Sequence, residues 1–294
     1  MQFDPTQFVQ TVIYGLTTGS VIAVGAVGLT LSYGVTRFIN FAFGEFLTYG
    51  VYLTLFLAGA GLGVSLPLPL AALVAIGVVG VLGVAVSRAF FDPLSDRGAL
   101  PLLITSIGVA FLLRNLLTAA VGVQAKQLPV PLMRPVQVAG VGMTPLEAGV
   151  LVVSVLTMLA VHLLLSRTML GKKMRATSGN RALATVAGID TDSVVRRTWF
   201  VSAAAGALAG ILYGILFAPF RPTVGWDFLI VVFAATLLGG IGKPYGAMAG
   251  AFVVGLAMNL GTAYLSADYT MGYAFAILVL VLLFKPEGIA GGEL

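Results

Sequence analysis

The sequence predicts an all-α polytopic membrane protein with about eight to nine transmembrane helices, built as a single membrane domain over residues 1–294. Hydrophobic residues make up 59% of the 294 residues and charged residues only 9%, whereas charged residues are about a quarter of a soluble globular domain. The apolar residues form runs of about 20, the length that crosses the roughly 30 Å hydrocarbon core of a bilayer. The polar stretches that interrupt these runs are too short for a folded soluble domain.

The predicted spans follow one another in chain order with short connections. The first is predicted at about Phe8–Leu31 and the second at about Asn40–Ala60, with Arg37 between them. The later spans are predicted at about Pro67–Ser87, Leu100–Val121, Pro145–Leu165, Trp199–Ala218, Phe228–Gly239, Gly246–Tyr264 and Tyr264–Phe284. A Pro-rich stretch, residues 122–144, joins the fourth span to the fifth.

The segment after Asp227 predicts a broken or re-entrant pair of helices. Its apolar run reaches Gly239 in roughly a dozen residues, too few to cross about 30 Å, and the sequence GGIGKPYG follows before hydrophobicity resumes. Interrupted helices occur at membrane depth only where the freed backbone is buried in protein or lines a wet cavity. Transport proteins often place their pathways at such interruptions.

The stretch from Ser166 to Arg197 is the longest polar interruption and carries seven of the sixteen basic residues. If this loop is cytoplasmic, alternation of the spans places twelve basic residues inside and three outside, with Arg114 within a span. The twelve are Arg37, Arg88, Arg97, the seven in the loop, Lys243 and Lys285, and the three are Lys126, Arg134 and Arg221. Because cytoplasmic loops are enriched in Lys and Arg, this distribution predicts the N-terminus outside and the C-terminus inside.

Local signals in the basic loop predict a short surface helix over Arg181–Ala187. Asn180 is a suitable N-cap, and Gly188 stands where a left-handed C-cap ends a helix. Asp190 or Thr191 can cap the next helix, which begins the following span. The plain alternative is an ordinary basic loop that only orients the chain.

Small residues at four-residue spacing predict faces where helices pack closely, because they let two backbones approach. The spacing is found at Gly15 and Gly19, at Gly206, Gly210 and Gly214, and at Gly242, Gly246 and Gly250. Such faces indicate helix packing in membrane proteins of any function.

No catalytic or nucleotide-binding motif is found in the sequence. His162 is the only histidine, cysteine is absent, and no HExxH, GxSxG or carboxylate cluster is present. The segment GGIGKP resembles a phosphate-binding loop, but Leu237 and Pro244 occupy positions that require Gly and Ser or Thr. The sequence therefore predicts no enzyme activity, metal site or nucleotide site in this chain, and no nucleic-acid binding.

Glu45 and Arg114 are the ionisable residues predicted well inside spans. On a rise of about 1.5 Å per residue their predicted depths differ by about 14 Å, so we expect no direct ion pair. We expect Arg114 to reach outward to the membrane surface. For Glu45, a structural role at a helix terminus and a role in lining a pathway both stay open.

Three stretches together resemble one family. GLTTGSVIAVGAVGLTLSYGVTRFINFAFGE, GKKMRATSGNRALATVAGID and LLGGIGKPYGAMAGAFVVG occur in this order across most of the chain. They resemble the shorter of the two permease types of branched-chain amino acid importers of the ATP-binding cassette (ABC) class. This chain has Phe43 where family members usually carry His, and it has no Glu between Arg167 and Ile189, unlike the older EAA signature of importers.

The resemblance implies a fold and partners of the ABC importer permease type in the inner membrane of a prokaryote. It implies a second permease subunit, an extracytoplasmic binding protein and two cytoplasmic ATPases that hold ATP and Mg²⁺. It also implies that the loop at about 166–197 couples to the ATPases. The residues expected to couple are Asn180, Arg181, Ala182, Ala184, Val186, Ala187 and Gly188.

The expected substrate is a branched-chain or other small amino acid, and the polar residues of the spans are the candidates for the pathway, because polar groups in spans face cavities. These candidates are Asn40, Glu45, Thr105, Asn115 and Asn259. Permeases for urea or short amides look similar and stay open as alternatives. A secondary transporter or channel is the alternative from another class, although it usually needs more polar groups at the midplane.

Overall fold

The computed structural model describes residues 5–59, 65–131, 133–138 and 141–291. Its helices are α1 (Pro5–Thr36), α2 (Phe43–Ala58), α3 (Leu68–Val86), α4 (Ala99–Val121), α5 (Pro145–Arg167), α6 (Met169–Gly179), α7 (Arg181–Val186), α8 (Thr191–Leu216), α9 (Val224–Gly239), α10 (Pro244–Tyr264) and α11 (Thr270–Phe284). A π-helical turn (Ser87–Phe91) and a 3₁₀ segment (Asp92–Arg97) follow α3, and a 3₁₀ turn (Ala267–Tyr269) precedes α11. The Pro-rich stretch holds a hairpin that the sequence did not predict, in which β1 (Val136–Val138) pairs antiparallel with β2 (Val141–Met143).

The predicted fold class, an all-α polytopic membrane protein, is confirmed. Among the described residues, seven helical segments are long and apolar enough to cross a membrane, and α2 and α9 are shorter apolar helices. At a rise of about 1.5 Å per residue, the 16 residues of α2 or α9 extend only about 24 Å. Neither short helix alone crosses a core of roughly 30 Å.

The chain breaks at the place predicted and also at a second place. Between α9 and α10, Gly240 and Gly242 take positive φ angles of 101° and 81°, so Gly242 lies in a turn and outside the helical packing face to which the sequence assigned it. The second break separates α1 from α2, where Arg37 has a φ of 60°. Here α1 continues to Thr36 and α2 begins only at Phe43, so the second predicted span is shorter than expected.

The chain forms two compact units, and residues 28–129 and 159–229 make up one of them. In this unit α2, α3 and α8 pack against one another. Gly210 of α8 lies against the backbone of Leu47, and Gly206 lies against the ring of Phe43. The apolar Phe43 is fully buried in this interface. A side chain larger than hydrogen at Gly210 would separate α8 from α2.

Residues 1–27, 130–158 and 230–294 make up the other unit. In it Gly15 and Gly19 of α1 lie against Leu256 and Phe252 of α10. On another side of α10, the position of a Cβ at Gly250 is occupied by the backbone of Ala235 in α9. Glycines therefore hold α10 close to two helices within this unit.

We expect Gly210→Ala to destabilise the protein, because the added methyl group would overlap the backbone of Leu47 and overpacking costs about 1–3 kcal/mol. Gly108→Ala in α4 is the matched control, since nothing lies within 4 Å of its Cβ position. The control should be neutral or slightly stabilising. Thermal unfolding of both variants in detergent measures the difference, and equal unfolding temperatures would contradict close packing of α8 on α2.

Candidate functional site

The first turn of α2 is buried beside the middle of α4. Phe43, Glu45 and Phe46 are all 0% exposed. The backbone N–H of Phe41 donates to the hydroxyl of Ser106 at 3.1 Å, and the hydroxyl of Tyr49 donates to the carbonyl of Leu113 at 3.0 Å. Since α4 runs from Ala99 to Val121, α2 begins part-way along its length and not at its end.

At this position Glu45 forms an ion pair with Arg114. One carboxylate oxygen, Oε1, accepts hydrogen bonds from Nη2 at 2.6 Å and from Nε at 3.1 Å. The two side chains are 0% and 15% exposed for Glu45 and Arg114 respectively. Our expectation that Glu45 and Arg114 do not pair, and that Arg114 reaches outward, is therefore wrong. The estimate of depth placed the start of α2 near the membrane surface, whereas the break at residues 37–42 carries that start alongside α4.

Aromatic rings surround the guanidinium of Arg114. Its Cζ atom lies 4.9 Å from the ring centroid of Trp226 and 5.6 Å from that of Phe111. Phe41 packs beside Trp226 with ring centroids 6.1 Å apart. Cation–π contacts of this kind stabilise a desolvated cation. The sequence reasoning missed Trp226, although a Trp in the first turn of a short apolar helix was a usable signal.

The first turn of α9 touches the first turn of α2. The N–H of Gly225 donates to the hydroxyl of Thr48 at 3.1 Å, and Gly225 lies against the backbone of Gly44. Glycine is needed on both sides because a Cβ on either residue would meet backbone atoms of the other. This contact places Trp226 over Arg114.

Two buried polar groups at this site have no hydrogen-bond partner among the described residues. They are Nδ2 of Asn40 and Oε2 of Glu45. Asn40 is 2% exposed, and its Oδ1 accepts from the N–H of Ala42 at 3.0 Å. An unsatisfied buried donor or acceptor costs about 1–3 kcal/mol, and such groups are few in native proteins. Asn40, just before α2, and Glu45, in its first turn, therefore offer a donor and an acceptor that no described residue uses.

The other predicted pathway residues do not join this cluster. Thr105 is half-buried, but it is the neighbouring Ser106 that bonds to the α1–α2 connection. Asn115 is exposed and donates to the carbonyl of Phe111 in its own helix at 2.7 Å. Asn259 is half-buried in α10 and donates to the carbonyl of Gly255 at 2.9 Å. Of the five candidates, Asn40 and Glu45 lie together.

The basic loop contains the short helix α7, capped at both ends. Oδ1 of Asn180 accepts from the N–H of Leu183 at 3.0 Å. At the other end Gly188 has a φ of 82°, its N–H bonds to the carbonyl of Thr185, and the N–H of Ile189 bonds to the carbonyl of Ala184, both at 3.0 Å. These two bonds form a Schellman motif. The cap residues predicted from the sequence act as caps.

Helices on either side extend the loop structure beyond what the sequence predicted. Thr168 caps α6 by accepting from the N–H of Gly171 at 3.1 Å, and α6 was not predicted. Asp190 caps α8 by accepting from the N–H of Ser193 at 3.0 Å. The basic loop is therefore helical over most of its length.

The faces of α7 differ from those expected. Ala184 is 4% exposed, whereas Leu183 and Val186 are 66% and 86% exposed. A partner cannot reach Ala184 while α7 packs on α6 and α8, so Ala184 does not fit a direct docking role. Leu183, which was not among the candidates, shares the exposed surface of α7 with Val186.

Arginine side chains tie the basic loop to other parts of its unit. Arg37, in the break between α1 and α2, donates to the carbonyl of Ser178 near the end of α6. Arg175 donates to the carbonyl of Leu165 in α5. Arg181 pairs with Asp192 at 2.9 Å, and both side chains are exposed, so this pair contributes little to stability. Arg37 therefore connects the loop to the chain break that precedes Glu45.

Comparisons with known proteins agree over almost the whole chain. A family model described as "Branched-chain amino acid transport system / permease component" matches residues 11–283. The chain is 34% identical over 296 residues to the high-affinity branched-chain amino acid transport system permease protein LivH of Escherichia coli strain K12, covering 97% of this chain and 96% of that protein. It is 32% identical over 297 residues to the corresponding protein BraD of Pseudomonas aeruginosa, with the same two coverages.

We expect Glu45→Leu and Arg114→Met each to lower stability, because removing one partner of a buried ion pair costs about 3–5 kcal/mol. The double variant should recover most of the loss, since an apolar pair leaves no buried charge. Asn115→Leu in the same helix is the control and should change little. Thermal unfolding measures this cycle.

Uptake by the same variants separates the two roles left open for Glu45. If the charge serves only the fold, the double variant should transport as well as it folds. If Glu45 lines the pathway, the double variant should fold and fail to transport. If the single variants are as stable as the wild type, the ion pair does not hold α2 in place.

Proposed function

The chain belongs to the family of branched-chain amino acid transport system permease components, and we propose that it is the transmembrane subunit of an ABC importer. As a permease component it is a transport subunit and not an enzyme. In this proposal it carries branched-chain or other small amino acids into the cytoplasm. The observation that carries the proposal is a match at 34% identity over 97% of the chain to a branched-chain amino acid permease.

The proposed assembly contains a second permease subunit, two cytoplasmic ATPases and an extracytoplasmic substrate-binding protein. ATP and Mg²⁺ belong to the ATPases, which agrees with the lack of a nucleotide-binding motif in this sequence. Among the described residues, no group of His, Cys, Asp and Glu is placed to hold a metal ion. The chain lies in the inner membrane and supplies the path for the substrate.

Coupling to the ATPases is assigned to α7 and its caps, from Asn180 to Gly188. The capped helix presents Leu183 and Val186 outward, and apolar side chains on a rigid helix suit a groove on a partner protein. Arg37 joins the end of α6 to the α1–α2 break. A movement of α7 imposed by ATPase closure would thus reach the first turn of α2 through a short chain of contacts.

The substrate pathway is assigned to the first turn of α2. The donor on Asn40 and the acceptor on Glu45 that have no partner among the described residues suit the carboxylate and ammonium groups of an amino acid. Selectivity would rest mainly with the binding protein, because so few polar groups are gathered here. Thr105, Asn115 and Asn259 stay weaker candidates for the same pathway.

The proposed orientation has the N-terminus outside and the C-terminus inside. An isolated antiparallel β-bridge joins Lys126 to Phe220. This bridge supports the proposed orientation, because the basic-residue distribution assigns both segments to the outer side. Likewise the bond from Gln10 to the carbonyl of Gly142 joins the start of α1 to the hairpin at 2.7 Å. On the inner side Arg37 contacts the basic loop.

Urea or a short amide is the alternative substrate within the same class. The names of the similar proteins LivH and BraD favour branched-chain amino acids. A secondary transporter or channel is disfavoured by the family match. Reconstitution with candidate ATPases and a binding protein decides among them. Leucine uptake that requires ATP supports the proposal. Uptake of urea but not of leucine would identify urea as the substrate. Uptake without ATPases would overturn the ABC assignment.

In that reconstituted system we expect Val186→Glu to abolish leucine-stimulated ATP hydrolysis while the protein folds normally, because the carboxylate would be desolvated in the ATPase groove. Lys172→Glu is the control, since it places the same charge on an exposed position of α6. Ala184→Glu should instead reduce folded protein, because Ala184 is buried. Normal coupling by Val186→Glu would exclude α7 as the coupling helix.

We also expect single cysteines to report the orientation, because the chain has none of its own. Ala176→Cys in α6 should react with a membrane-impermeant thiol reagent only from the cytoplasmic side. Gln137→Cys in β1 should react only from outside. Both native residues are exposed. Labelling of both from one side would refute the proposed topology.

A further inference from the structure

A cavity of about 220 Å³ lies beside the junction of α7 and α8. Its walls come from the end of α1, the π-helical turn and 3₁₀ segment after α3, the start of α4 and the first turns of α8. Pockets for drug-sized ligands are roughly 300–1,000 Å³, so this cavity suits a smaller molecule, of the size of a single amino acid, and is too small for a nucleotide.

The charged groups of the cavity are balanced in sign. Arg181 and Asp192 line it and neutralise each other in their ion pair. Arg196 and Asp92 also line it, and neither forms an ion pair with any described residue. The carboxylate of Asp92 accepts one hydrogen bond, from the hydroxyl of Ser87 at 2.9 Å. One cation and one anion are therefore left for a ligand that carries both charges.

Aromatic rings form one side of the cavity. The rings of Phe91 and Trp199 are stacked, with centroids 5.1 Å apart and planes 14° apart, and Phe38 packs on Phe91 at 5.2 Å. All three are at most 3% exposed in the folded chain. Leu102 completes this floor. An aliphatic side chain in the cavity would lie beside Leu102 and the small exposed edges of these rings, with Thr36 and Ser95 nearby.

Two uncommon backbone features form the walls. Phe91 is placed by the π-helical turn (Ser87–Phe91), and π-helical turns occur frequently at functional sites. The lining from the end of α1 includes Thr36 and Phe38, which flank Arg37 in its left-handed conformation. Such conformations persist only where the surrounding structure holds them, and they cluster at ligand sites and switch regions.

We propose that this cavity binds a small apolar α-amino acid as its zwitterion. Arg196 receives the carboxylate, Asp92 receives the ammonium group, and the aromatic floor receives the aliphatic side chain. This inference rests on the proposed function, which places α7 at the ATPases. A bound amino acid would contact the walls on which α7 and α8 meet, so it would reduce the movement of α7. The site would thereby let cytoplasmic amino acid restrain its own import.

Binding of radiolabelled leucine to the purified full-length chain in nanodiscs tests the site by equilibrium dialysis. We expect saturable binding that weakens at least tenfold in Arg196→Gln and in Asp92→Asn. Arg197→Gln is the matched control, because it removes the neighbouring exposed cation, which does not line the cavity. Thermal unfolding of each variant confirms that it is folded.

Tryptophan fluorescence shows which of two regions binds leucine. The chain has two tryptophans, Trp199 in the cavity floor and Trp226 over Arg114. In the Trp226→Phe variant, leucine should still change the tryptophan emission, because Trp199 reports the cavity. A change that disappears with Trp226 would place binding at the first turn of α2 and overturn the proposal.

Further outcomes also decide against the site. An absence of saturable leucine binding, or equal weakening in Arg197→Gln, would refute it. A phosphatidylethanolamine headgroup carries the same pair of charges. Copurification of that lipid with the wild type but not with Arg196→Gln, together with no displacement by leucine, would make the cavity a lipid site.

Uptake by the reconstituted transporter separates this inference from the proposed function. ATP-dependent leucine uptake without binding to the cavity would refute the cavity site and leave the function standing. Binding to the cavity without any uptake would refute the function alone. If both uptake and binding to the cavity are observed, leucine on the cytoplasmic side should inhibit uptake by the wild type. Inhibition of the Arg196→Gln variant should require a leucine concentration at least tenfold higher.

Discussion

A carboxylate with no exposure to solvent needs a partner of opposite charge, and Glu45 has one because the chain breaks between α1 and α2. The break carries the first turn of α2 alongside α4, where the guanidinium of Arg114 reaches one carboxylate oxygen at 2.6 Å. Trp226 then covers that guanidinium. Since an unpaired buried charge is strongly unfavourable, this interaction favours the observed start of α2 beside α4.

Glycines make the arrangement possible. Gly44 and Gly225 let the first turns of α2 and α9 touch, and Gly210 lets α8 approach the backbone of Leu47. Close contact between backbones replaces the hydrophobic driving force that lipid does not supply between helices. Because α2 is enclosed by helices at backbone distance, it cannot shift alone. The basic loop is joined to the break before α2 by the hydrogen bond from Arg37 to the carbonyl of Ser178.

The candidate site could be predicted only in part. The caps of α7 were readable because an N-cap and a C-cap depend on residues within one turn of the helix end. The outward face of α7 could not be predicted, because a helix of two turns is too short for hydrophobic periodicity to define a face. The coupling residues expected from the sequence therefore include Ala184 and omit Leu183, although Leu183 is 66% exposed and Ala184 only 4%. Of the pathway candidates, Asn40 and Glu45 lie together at the start of α2, whereas Trp226 and Ser106, which contact the same region, were not among the candidates.

The sequence by itself determined the membrane class, the order of the spans, the break after Gly239 and the capped helix in the basic loop. These features follow from hydropathy over about 20 residues or from local capping, and neither depends on distant contacts. Only the tertiary structure decided that Glu45 pairs with Arg114, that Ala184 points inward, and that Asp92 and Arg196 face one cavity. Each of these joins residues far apart in the chain, and their meeting depends on how helices of unequal length pack. A one-dimensional pattern does not contain the depth at which a short helix begins.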